Sequence, residues 1–205
     1  MLDLLLADAR TPSGGFAQSG GIEPAALPMA MVPELVRGRL ATVGLVDAAV
    51  AASAARGRDP IALDAAWAAR TPSPPLRDAA TRQGRALLRL ASLAWPGALD
   101  RYRARSASTP RPVVLGLLGR HVGLGAERVA CVCLYDDAAT CLASVPKLYA
   151  IDSAAVTAWL VELAPLVEAL AERAAGAATL PAPAAPLIDV RALAHATDPR
   201  RLFAT

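Results

Sequence analysis

Cys131 and Cys133, one residue apart and followed by Cys141, are the side chains in this sequence best suited to covalent or metal chemistry. Two thiols spaced Cys-x-Cys look like half of a soft-metal site. On a helix, however, residues two apart point in different directions and cannot easily share one ion. The run that holds them, Val129 to Tyr135, is also apolar. A nucleophilic thiol needs an accessible, electropositive setting. Core thiols are therefore the favoured reading, with a small enzyme using Cys131 or Cys133, His121 and a nearby carboxylate as the alternative. His121 and His195 are the only histidines, too few for a histidine metal cluster, and a lone helical histidine is more often a hydrogen-bonded structural residue. No metal site, no cofactor and no catalytic group is expected. Lys147 is the only lysine, and a solitary lysine is ordinarily a solvated surface charge.

A different kind of chemistry, the shaping of backbone, is concentrated in Pro12-Ser13-Gly14-Gly15-Phe16-Ala17-Gln18-Ser19-Gly20-Gly21-Ile22-Glu23. Two Gly-Gly pairs specify a sharply shaped loop, because glycine accepts positive φ and lets other groups approach the main chain. Phe16, one of only two phenylalanines, is the obvious anchor. Ser19 is placed to cap the helix opened by Ile22 and Glu23, and the Glu23 carboxylate suits the positive end of that helix dipole. The spacing is neither Gly-x-Gly-x-x-Gly nor Gly-x-x-x-x-Gly-Lys-Ser/Thr, and no strand pattern precedes it, which argues against nucleotide binding. A plain connecting loop is the alternative.

The elements that must position these residues read as helices. Hydrophobic residues make up 55% of the 205 positions and aromatics only 4%, so the core is built from Ala, Leu and Val, which favours close helix packing over a sandwich of sheets. Pro24, Pro28 and Pro33 predict an irregular stretch. Helix resumes near Glu34, with Val36, Leu40, Val43, Val46 and Val50 on one face, and ends around Gly57. Asp59-Pro60 and Ser73-Pro74 each read as an N-cap followed by proline at the first helical position. The second helix carries the stripe Leu76, Ala80, Gln83, Leu87, Leu90, Ala94. Gln83 on that stripe is either a core glutamine with hydrogen-bond partners or a functional side chain. Ala126 to Tyr149 is ambiguous with a strand at Val129 to Tyr135 but favours a long buried helix. Ser153 is expected to cap a final strong helix, bent by Pro165, with Val156, Leu160, Leu163, Val167, Leu170 and Ala174 facing inward. Leu180 to Pro186 reads as an extended linker and Leu187 to Ala196 as a last short helix.

The charge of +3 is carried by scattered arginines with almost no interleaved aromatics, which argues against nucleic acid. No uninterrupted apolar run approaches the roughly 18 to 20 residues needed to span a bilayer, and Met1 to Asp8 carries acid where a signal peptide carries base. Three clustered cysteines do not suit a disulfide scaffold. A cytoplasmic protein is expected.

Pro12, Gly14, Phe16, Ser19, Gly21, Ile22 and Glu23 together resemble the signature loop of the urease accessory protein UreF family. Gln83-Gly84-Arg85 followed by leucines, the Leu-Gly pair at Leu115-Gly116 after Pro110, the Lys147 to Asp152 segment and the tail Asp198 to Thr205 resemble the family as well. Ala150 departs from a proline expected there. The resemblance implies an all-α single-domain helical bundle over 1–205, with an N-terminal helix and signature loop (1–33), a helical core (34–176), and a Pro-rich linker, short helix and flexible C-terminal tail (177–205). It implies a non-enzymatic chaperone that joins UreD (UreH) and the GTPase UreG to deliver nickel to apo-urease, as a homodimer within the complex. Partner-binding residues by the same resemblance are Pro12, Gly14, Phe16, Ser19, Gly21, Glu23, Gln83, Lys147 as a contact for UreG, and Asp152. Arg200, Arg201, Leu202 and Phe203 complete the set as the UreD-docking tail. An orphan module serving another GTPase or partner is the alternative.

Overall fold

The computed structural model describes residues 1–8, 11 and 15–204, and for Phe16 the backbone only. The helices are α1 (Leu2–Ala7), α2 (Ile22–Ala25), α3 (Val32–Arg39), α4 (Leu45–Ala55), α5 (Pro60–Ala68), α6 (Pro74–Ala94), α7 (Asp100–Arg105), α8 (Arg111–His121), α9 (Ala126–Leu148), α10 (Ser153–Gly176) and α11 (Pro186–Ala196). No strand occurs among the described residues. The fold is all-α.

α4 is the hub, with α5, α8, α9 and α10 packed around it. Its Ala48 to Ala52 run is completely buried. Small side chains allow this crowding. A Cβ added to Gly116 of α8 would stand 2.3 Å from the Ala51 carbonyl oxygen, so the α4 and α8 backbones touch and any larger residue would force them apart. α6 packs on α8, α10 on α9, α1 on α9, and α11 on α6 and α2. One contiguous apolar core runs from Leu6 to Ala174.

The helix read from Glu34 to Gly57 is present but interrupted by a π-turn at Leu40–Gly44. A π-turn shifts the helical register. Val36, Leu40, Val46 and Val50 are buried while Val43 is only half-buried. Asp59 caps α5, accepting from the Ile61 N–H at 3.3 Å. Ser73 does not repeat that device, for its buried Oγ has no hydrogen-bond partner among the described residues. α6 is rotated from the expected stripe, burying Ala79, Gly84, Leu87, Leu88 and Ala91 and leaving Gln83 half-buried and Ala94 exposed. α10 is capped by Asp152, which accepts from the Ala154 N–H at 2.9 Å, not by Ser153. Pro165 lies inside α10 without ending it.

Residues 126–148 form a helix, not a strand. Both α9 and α10 are long and apolar enough to cross a bilayer by length and composition. Asp136, Asp137, Glu162 and Glu168 break their apolar runs, so the uninterrupted-run criterion misses them. α9 is a core helix, 61% of its apolar window being buried.

Candidate functional site

The glycine-rich loop is seated on α9. Gly20 and Gly21 have φ of +61° and +94°, the left-handed region that favours glycine. A Cβ on Gly20 would lie 2.1 Å from Cys141 Sγ, so the loop backbone rests directly against that thiol. Ser19 is fully buried and its Oγ accepts from the Glu23 N–H at 3.4 Å, a long capping contact. Gly21 occupies the N-cap position of α2.

Glu23, the second residue of α2, is the centre of the arrangement. Its Oε2 accepts from His195 Nε2 of α11 at 2.8 Å and from the Phe203 N–H at 3.0 Å, and its Oε1 accepts from the Leu202 N–H at 2.7 Å. Burial pushes the carboxyl pKa up, but the Leu202, Phe203 and His195 hydrogen bonds outweigh it, and the net shift is downward. The Ala204 N–H donates to the Ala17 carbonyl at 2.8 Å, joining tail to loop directly. Lys147, exposed in the last turn of α9, holds its Nζ 5.2 Å from the centre of the Phe203 ring. Nearby in sequence, Tyr149 Oη donates to the Leu27 carbonyl at 2.9 Å.

These contacts correct the expectation of a flexible tail with two free apolar anchors. Phe203 is 5% exposed, packed within its own chain, while Leu202 is 71% exposed. The Glu23 carboxylate supplies acceptors for both tail N–H groups, a partner that no local periodic segment near the tail could reveal. Among the described residues Arg200 pairs with Asp198, at 3.5 Å, and Arg201 donates to the Ala196 carbonyl. Ser19, Gly21, Glu23, Lys147, Leu202 and Phe203 are thus brought together. Asp152 is spent on capping α10. Pro12, Gly14 and the Phe16 side chain lie outside the described residues.

Beneath the loop lies a crevice of about 70 Å³ lined by Gln18, Gly20, Arg39, Asp47, Gln83 and Arg111 among others. Gln83 is therefore a crevice residue, not a core one. Arg39 grips Asp137 through Nε at 3.0 Å and Nη2 at 2.8 Å. Arg111 pairs with Asp136. Asp47 accepts from Trp67 Nε1 at 2.7 Å, and burial pushes its carboxyl up to about 6 despite that bond. The cluster thus holds three carboxyls against two guanidiniums and is neutral when Asp47 is protonated. None of these five ionic residues stood out in the sequence; the available signal was charge inside otherwise apolar helices.

The thiols are free. Burial pushes Cys133 and Cys141 up to about 12 and raises half-buried Cys131, which leaves them protonated at neutral pH and ill-suited as nucleophiles. His121 stacks edge-on against Trp95 at 6.1 Å. Among the described residues no three His, Cys, Asp or Glu side chains are grouped to hold a metal ion.

Fold and site define a class, an all-helical bundle whose conspicuous polar residues hold backbone segments in place. The particular family follows from comparison with known proteins. The UreF family model matches residues 29–164, a span that excludes the glycine-rich loop. The chain is 36% identical over 211 residues to the urease accessory protein UreF of Mycolicibacterium vanbaalenii, covering 98% of this chain and 97% of the relative. It is 35% identical over 209 residues to that of Mycobacterium marinum, with 98% and 97% covered. The corresponding protein of Mycobacterium tuberculosis is 36% identical over 212 residues, with 98% and 96% covered. The chain belongs to the UreF family of urease accessory proteins.

Proposed function

We propose that this chain is the non-catalytic, cytoplasmic subunit that bridges UreD (UreH) and the GTPase UreG, coupling GTP hydrolysis to insertion of nickel into apo-urease. The observation that carries the reading is the convergence of Glu23, Lys147 and the tail on one loop-and-tail surface. Those are the residues the family resemblance assigns to partners, and they come from segments far apart in the chain. Lys147 presents a charge at that surface to orient UreG. Leu202, together with exposed Leu187, Val190 and Leu193 of α11, offers apolar anchors to UreD, while Phe203 fixes the geometry from inside. The chain works as a homodimer within the complex, and nickel is cargo of the assembly, not stably bound by this subunit.

Co-purification with UreD, UreG and apo-urease tests the proposal. Lys147→Ala is expected to reduce UreG recovery and Leu202→Asp to reduce UreD recovery, each with a melting temperature within a few degrees of the parent. Recovery of both partners at wild-type levels with both variants would overturn the assignment and favour a module serving another partner.

A further inference from the structure

We propose that the groove between α6 and α7 is a binding site for a phosphoryl group, held by Arg85, Arg89 and Arg103 over the Thr109 hydroxyl. The groove has a volume of about 390 Å³, and no carboxylate lines it. Arg85 and Arg89 stand one turn apart on α6, where like charges repel. Among the described residues neither has an ion-pair or hydrogen-bond partner. Arg103 adds a third guanidinium from α7, donating weakly to Ser92 Oγ at 3.4 Å.

The independent observation is Thr109. It lines the groove, is 6% exposed, and its Oγ1 has no hydrogen-bond partner among the described residues. Its φ is +45°, an outlier for a β-branched residue. Such strain persists only where surroundings hold it, and it clusters at functional positions. Here the Thr109 N–H donates to Ser106 Oγ at 3.0 Å, while its carbonyl oxygen abuts Gly84, where a Cβ would stand 1.9 Å away. Gly84 therefore admits the strained turn and the next residue, Arg85, enters the groove, which gives Gln83-Gly84-Arg85 a physical reason. Forked guanidinium donors match phosphate oxygens bidentately, and a buried unpaired hydroxyl calls for a partner.

The test titrates the full chain with inorganic phosphate, pyrophosphate and a nucleoside diphosphate at constant ionic strength, by calorimetry and phosphorus NMR. Saturable binding is expected, weakened about tenfold or more in Arg85→Gln/Arg103→Gln. Tighter binding of the diphosphate than of pyrophosphate assigns the phosphoryl group to a nucleotide; equal binding assigns it to free phosphate. These arginines are exposed, so the variant should melt like the parent; if it does not fold, Arg89→Gln supplies the same comparison. Absence of saturable binding, or equal binding by parent and variant, overturns the proposal. So does capture of a hexaglutamate peptide in place of the phosphates, which would give the groove to an acidic segment. The outcome is independent of the UreD and UreG assignments.

Discussion

Glu23→Gln should release the tail from the loop. The carboxylate accepts from three donors, the Leu202 N–H on one oxygen and the Phe203 N–H and His195 Nε2 on the other. An amide can keep only one oxygen. If that oxygen faces Phe203 and His195, the new NH2 confronts the Leu202 N–H, donor against donor. Losing one charge-assisted bond and reducing two to neutral strength costs about 2–3 kcal/mol. The global loss is capped by the free energy of local detachment, because the tail opens before the bundle does. Amide hydrogen exchange is therefore the direct assay, and Leu202, Phe203 and Ala204 should lose most of their protection. The parent should show the same release in acid. The Glu23 pKa is lowered from its ordinary 4.5, so its contribution is fully present above about 4.5 and is lost as pH falls through the lower folded value. The variant should lack that transition. Unchanged protection of the three amides at pH 7, or an identical acid transition in the variant, would refute the clamp.

Gly20→Ala combines a left-handed backbone with a Cβ 2.1 Å from Cys141 Sγ, and should cost about 2–4 kcal/mol by urea denaturation; a midpoint within error of the parent would mean the loop is not seated on α9. Asp47→Asn should flatten the pH dependence of stability between about 4 and 6. The parent carboxyl, raised from 3.8 to about 6, costs stability as pH rises through that window, by at most about 3 kcal/mol, and equal slopes for parent and variant would exclude Asp47. Deleting Arg200 to Thr205 removes a buried phenylalanine and should lower the melting temperature by several degrees, whereas an unchanged melt would return the tail to a free segment. Lys147→Ala removes one exposed cation–π contact, worth about 0.5–1 kcal/mol, so a larger loss in thermal denaturation would point to an interior role.

The helices were legible because their stripes and their proline starts agree. Val156, Leu163, Val167, Leu170 and Ala174 are buried as their spacing predicts, with Leu160 of the same stripe only half-buried, and Pro60 and Pro74 open helices as expected. Cap identity was less legible. Asp152 and Ser153 are adjacent acceptors, and only the backbone geometry selects the aspartate. The π-turn at Leu40–Gly44 has no periodic signature, since a single-turn register shift leaves too few residues to register in a pattern. At the site, the loop stood out by composition, and Glu23 by its place in the first turn of α2. Its partners did not. His195, Leu202 and Phe203 meet it through a long-range closure of the chain, and spacing along the sequence carries no information about such a contact. The paired charges beneath the loop escaped for the same reason, Arg39 and Asp137 being 98 residues apart.

The hydrogen bond from Ala204 to the Ala17 carbonyl bears on the order in which the molecule can be completed. A ribosome delivers the loop among the first residues and the segment that fastens it among the later ones, since domains emerge N-terminal end first. Until residue 204 has cleared the exit tunnel, Glu23 has neither tail N–H group to hold. A nascent chain would thus carry an unfastened loop until that segment emerges, and the loop-and-tail surface can close only then.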